Sequence, residues 1–154
     1  MTVKIEKLVN WYIKHFGKLT YSMTGSRNGD DRTADCSGAL TQALFESGAK
    51  PYKILHSTVT IGSYLAENDF EYLGTTPTLA CKKGDVLLLS WNGNIKQSVM
   101  ANGHCGILKD AKTFISVDYS SHQGREGRAV AEHPWLSYYE KKNPDALEVW
   151  RLRQ

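Results

Sequence analysis

The apolar residues of this chain change their spacing once, near its middle, and that change limits the fold more than any other feature. In the first third, Val3, Ile5, Leu8, Val9, Tyr12, Ile13 and Phe16 recur three and four apart. That is the repeat of one helix face, and Gly17 follows as a stop. A polar, glycine-rich loop, "SMTGSRNGDDRTAD", comes next. A second helix then carries Ala39, Leu40, Ala43 and Leu44 inward, with Gly48 placed for a left-handed C-terminal cap. Ser57 is positioned to cap a short third helix through about Ala66.

After residue 84 the pattern is that of strands. "DVLLLSW" is a short apolar run between Gly84 and the turn "NGN". "HCGIL" and "TFISVDY" follow, joined by the polar "KDAK", and "RAVAEH" and "LEVWRLR" close the set. "PWLSYYEKKN" fits one or two helical turns. Helices first and strands after predict an α+β domain, with N-terminal helices on an antiparallel sheet of about five to six strands. The length, 154 residues, fits one domain over 1–154 with its own core.

Charge narrows the function classes. The net charge is +3, with basic residues scattered rather than clustered, which argues against nucleic acid as a partner. No apolar run is long enough to cross a bilayer, so no membrane insertion is expected. "MTVKIEKLVNWYIKHFG" has no uninterrupted apolar stretch, so no signal peptide is expected. The three cysteines, Cys36, Cys81 and Cys105, are odd in number and match no zinc-site spacing. At least one thiol stays free, as in a chain made in a reducing compartment.

Cys36 is placed for chemistry. In "TADCSGALTQALFESG", Asp35 suits the N-cap, which makes Cys36 the first helical residue. The positive end of the helix dipole favours thiolate there, the reactive form of cysteine. A nucleophile needs a base, and "NGHCGIL" offers His104 between two glycines that permit close approach. Alternation sends His104, Gly106 and Leu108 to one face. It sends Cys105 and Ile107 to the other, so Cys105 is expected to serve the core. Phe114, Ser116 and Asp118 share a face of the next strand, and either Ser116 or Asp118 could orient the imidazole. Asp118 is preferred, because a carboxylate also stabilises imidazolium.

"DCSGAL", "KKGDVLLLSW" and "GHCGIL", in that order, resemble the NlpC-type papain-like cysteine peptidases of cell walls. More closely, they resemble the catalytic domains of bacteriophage peptidoglycan hydrolases in that superfamily. "LTYSM" and "LEVWRLR" extend the resemblance over nearly the whole chain. It implies Cys36 as nucleophile, His104 as base, and a third polar residue on the following strand, often a histidine within "IIHCNY". Ser116 stands where that histidine would be, and Asp118 replaces the asparagine. Tyr21 matches a tyrosine lining the site, and Asp35, Ser37 and Ser116 are expected to complete the substrate surface. Gly84 and Asp85 are expected to be turn residues. The implied reaction cleaves an amide bond of the peptidoglycan stem peptide, at the lactyl amide to L-alanine or a γ-D-glutamyl bond. It needs no metal or cofactor. The implied partner is bacterial peptidoglycan, met as a monomer at the cell wall after release from a host cytoplasm. Competing readings are a CHAP-type or transglutaminase-like enzyme, and a wall-binding or phage-tail module with a dead site.

Overall fold

The computed structural model describes residues 2–99 and 102–154. Helix α1, Ile5–Lys14, buries Leu8, Val9, Trp11 and Tyr12 and ends before Gly17 at φ +78°. The loop that follows is pinned at both ends by a short parallel pair, β1 (Thr20–Tyr21) and β2 (Thr33–Ala34). Helix α2, Cys36–Glu46, buries its first six residues together with Ala43 and Leu44, and Gly48 follows it at positive φ. The Trp11 indole N–H donates to Glu46 at 2.8 Å and ties α1 to α2.

Helix α3, Ile61–Glu67, starts later than the sequence suggests. Ser57 instead heads a separate turn, its carbonyl accepting from the N–H groups of Thr60 and Ile61. Strand β3, Phe70–Gly74, was not anticipated. It is an edge strand that buries Phe70 and leaves Tyr72 half exposed, so its sequence lacks a clean alternation.

The remaining elements are β4 (Val86–Ser90), β5 (Gly103–Leu108), β6 (Thr113–Val117), β7 (Val130–Pro134), α4 (Trp135–Lys142) and β8 (Ala146–Leu152). Six strands form one sheet in the order β3-β8-β4-β5-β6-β7, with every pair antiparallel. This is the α+β architecture the change of spacing predicts. The sheet is buried on both faces, which is why "DVLLLSW" reads as an unbroken apolar run. Val86, Leu88, Cys105, Ile107, Ile115 and Val117 face the helices α1 to α3. Leu87, Leu89, Leu108, Phe114, Leu147 and Val149 pack with Trp135 and Tyr138 of α4. No helix among the described residues is long and apolar enough to cross a membrane.

Asp85 is structural, as expected. Its buried carboxylate accepts the N–H groups of Cys81 and Lys82 and a two-pronged contact from Arg151 at 2.8 and 2.7 Å. This joins the start of β4 to the end of β8.

Gly106 matters because β6 leans against it. A Cβ there would lie 2.6 Å from the Ile115 carbonyl oxygen and 2.7 Å from Ser116 Cβ. Gly106→Ala should therefore lower stability by about 1–3 kcal/mol, the range for overpacking a filled core. Urea unfolding of the variant measures this, and an unchanged midpoint would contradict the close approach.

Candidate active site

Asp35 caps α2 as its sequence position implies. One carboxylate oxygen accepts the Gly38 N–H at 2.8 Å, and the other accepts Arg27 Nε–H at 2.6 Å. Arg27 sits at φ +65°, a left-handed conformation uncommon outside glycine. Its backbone carbonyl accepts the Asp35 N–H at 3.3 Å, and a Cβ on Gly38 would come within 2.2 Å of that oxygen. The glycine after Ser37 thus lets the loop cross directly over the helix start. Nothing in the loop's composition marks Arg27, and reading the sequence alone misses it.

The first residue of this capped helix is Cys36, buried with 7% of its surface exposed. Two consecutive residues of β5, Cys105 and His104, act most strongly on the ionisation of its thiol. Hydrogen bonding from Cys105 and the bond and charge of His104 bring the Cys36 pKa well below its ordinary value, against the opposing effect of burial. Burial would depress the His104 ring, but the Cys36 contact and the charge of Asp118 raise it. The two shifts run in opposite directions, each favouring the charged form of its own group.

The second ring nitrogen is taken by Ser116. Its hydroxyl lies 2.9 Å from His104 Nε2, leaving Nδ1 for the thiol side. The preference for Asp118 in this position is therefore corrected. Asp118 follows the end of β6, where its N–H bonds to the Ala129 carbonyl. Its carboxylate accepts from the Ser121 N–H and hydroxyl at 3.0 and 3.1 Å and lies 3.5 Å from His133 Nε2. Burial raises its pKa, but these bonds and the His104 charge hold it below the usual carboxylate range. Asp118 acts on His104 through its field rather than by contact.

A cavity of about 260 Å³ opens at the thiol. Tyr21, Asp35, Ser37, Arg27 and Thr58 line it with Cys36, so three of the expected substrate-facing residues reach it. Ser116 does not, being fully buried behind His104. Arg27 also extends Nη2 to Ser37 Oγ at 3.4 Å. Cys105 is fully buried in the core, as alternation predicts.

Asp118→Asn removes a negative charge without touching the Ser116 contact. The His104 ring pKa should fall, measured by NMR titration of its imidazole signals, while the same titration of Cys36→Ser should show a larger fall. An unchanged pKa in Asp118→Asn would contradict the field effect.

Several known proteins are similar. A phage lysin, "Lysin" of Pneumococcus phage Dp-1, is 31% identical over 139 residues, 90% of this chain and 44% of that protein. The chain thus spans less than half the length of that curated relative. Two solved structures from Trichomonas vaginalis share the fold. NlpC2 matches with TM-score 0.60 and 16% identity, over 98% of this chain and 48% of that one. NlpC1 matches with TM-score 0.62 and 13% identity, over 98% and 46%. Residues 4–146 match the family described as bacteriophage peptidoglycan hydrolase. With that match running from α1 to the start of β8, the chain belongs to the bacteriophage peptidoglycan hydrolase family.

Proposed function

We propose that this domain is a cysteine-dependent peptidoglycan hydrolase that cuts an amide bond of the bacterial stem peptide. The observation that carries the reading is the Cys36 thiol at a capped helix N-terminus, lining a cavity, with the charge of a Ser116-bonded His104 acting on it. The Cys36 thiolate attacks the amide carbonyl carbon, and the carbonyl electrons move to oxygen. The backbone N–H of Cys36, in the first turn where helix N–H groups lack helical partners, points to that oxyanion. The His104 imidazolium gives its proton to the leaving amine as the C–N bond breaks, leaving a thioester. Neutral His104 then takes a proton from water, the hydroxide adds to the thioester, and collapse returns the thiolate and a free carboxylate. Ser116 holds the ring for both proton transfers, and the nearby Asp118 charge favours the imidazolium.

The cavity's polar lining suits a short peptide bearing carboxylates. Arg27 spends Nε and Nη2 on Asp35 and Ser37, and its Nη1 has no partner among the described residues. A stem-peptide carboxylate fits that donor. The two candidate bonds are the lactyl amide to L-alanine and a γ-D-glutamyl bond, and the protein works as a monomer at the cell wall.

Mass spectrometry of fragments from digested peptidoglycan identifies the bond. Free N-terminal L-alanine peptides indicate the amidase, and peptides ending in γ-D-glutamate indicate the endopeptidase. Cys36→Ala should release neither, while Ser116→Ala should lower kcat about tenfold, the scale of one hydrogen bond of ~1 kcal/mol, with KM little changed. EDTA should leave activity intact. Release of fragments by Cys36→Ala at the wild-type rate would overturn the proposal.

A further inference from the structure

We propose that a groove beside the catalytic cavity is a subsite for the glycan strand, holding the N-acetylated sugar that carries the stem peptide. The inference deepens the peptidoglycan-hydrolase reading and rests on it.

The groove has a volume of about 590 Å³ and is formed by α3 and the segment between α2 and α3. Ser57 lines both this groove and the cavity at Cys36, so one extended ligand can occupy the two together.

The walls are held in place by their own contacts. His56 stacks on the buried Tyr64 ring with centroids 4.7 Å apart, and its Nδ1 lies 3.1 Å from Thr60 Oγ1. The Tyr64 hydroxyl donates to the Lys50 carbonyl at 2.6 Å. The Tyr52 ring meets Phe45 edge-on, and its hydroxyl donates to Gln42 and accepts from Asn28 Nδ2 at 3.3 Å. Asn28 directly follows Arg27, so the loop that crosses the start of α2 also steadies the groove. Against these fixed rings, Ile54 lines the groove with 80% of its surface exposed, and Phe45 beside Tyr52 is 40% exposed. Apolar surface left open next to a catalytic cavity marks a contact made by the ligand.

Charge separates the two parts of the substrate. Lys53 and Glu67 are the acid and base lining the groove, one of each sign. Burial lowers the His56 pKa and favours its neutral ring. The groove therefore has no excess positive charge for stem-peptide carboxylates, whereas the catalytic cavity has Arg27. A pyranose of the glycan strand fits it better. Its C–H face and N-acetyl methyl suit Ile54, Tyr52 and the imidazole ring. Its hydroxyl and amide groups suit His56 Nε2, which has no hydrogen-bond partner among the described residues.

The test is NMR titration of the wild-type protein with the peptide-free disaccharide of N-acetylglucosamine and N-acetylmuramic acid. A parallel titration uses the sugar-free dipeptide L-alanyl-γ-D-glutamate. The disaccharide should shift the Ile54 methyl and His56 ring signals in a saturable way, and the dipeptide should shift neither. Ile54→Ser changes an exposed side chain and should weaken disaccharide binding about tenfold, the equivalent of ~1.4 kcal/mol. Alkylation of Cys36 by iodoacetamide should proceed at the wild-type rate in that variant. Signals unmoved by the disaccharide, signals moved by the dipeptide instead, or unchanged affinity in Ile54→Ser would overturn the proposal. The disaccharide contains no stem-peptide bond. Its binding is therefore read separately from fragment release, and a failure of the hydrolase reading would appear in the latter alone.

Discussion

The Asp35 carboxylate makes two bonds that the rest of the site depends on. One closes the first turn of α2 through Gly38, and the other holds the Arg27 guanidinium. An N-cap of this kind is worth roughly 1 kcal/mol, and a partly buried ion pair adds little net stability once desolvation is counted. Its larger effect is positional. The cap fixes where α2 begins and which N–H groups point at the cavity, and the ion pair sets Arg27 beside the thiol. Arg27 stays in a left-handed conformation, at a cost on the order of 1–3 kcal/mol, because its carbonyl is bonded to Asp35 and packed on Gly38.

Around the thiol, charge is arranged in a gradient rather than as a chain of touching acids and bases. Cys36 and His104 form the pair, neutral Ser116 orients the ring, and the Asp118 charge sits one step further out. A carboxylate bonded directly to Nε2 would stabilise imidazolium more strongly. Ser116 leaves the ring oriented while the more distant Asp118 supplies a weaker field. The same Asp118 secures the turn at Ser121 and the contact with His133, so it serves the fold and the site together.

What was legible in the sequence follows from the range of each interaction. Asp35 and Cys36 could be placed because capping and the helix dipole are local. The faces of β5 and β6 could be placed because alternation is local, and His104, Cys105 and Ser116 lie as it predicts. Contact partners were another matter. Alternation says which face Asp118 shares but not that the chain turns away after Val117, and this turn gave the ring to Ser116. Cys105 was read as core, which it is. Arg27 was invisible in a loop of polar residues, and β3 was missed because an edge strand buries too little to show a pattern.

The central claim is that the Cys36 thiolate carries the reaction. Its most direct measurement is residual peptidoglycan hydrolysis against the fraction of Cys36 alkylated, read by peptide mapping over a course of iodoacetamide treatment. The account predicts that activity falls in step with Cys36 modification and reaches zero when it is complete, whatever the state of Cys81. Full alkylation of Cys36 with hydrolysis undiminished would contradict it.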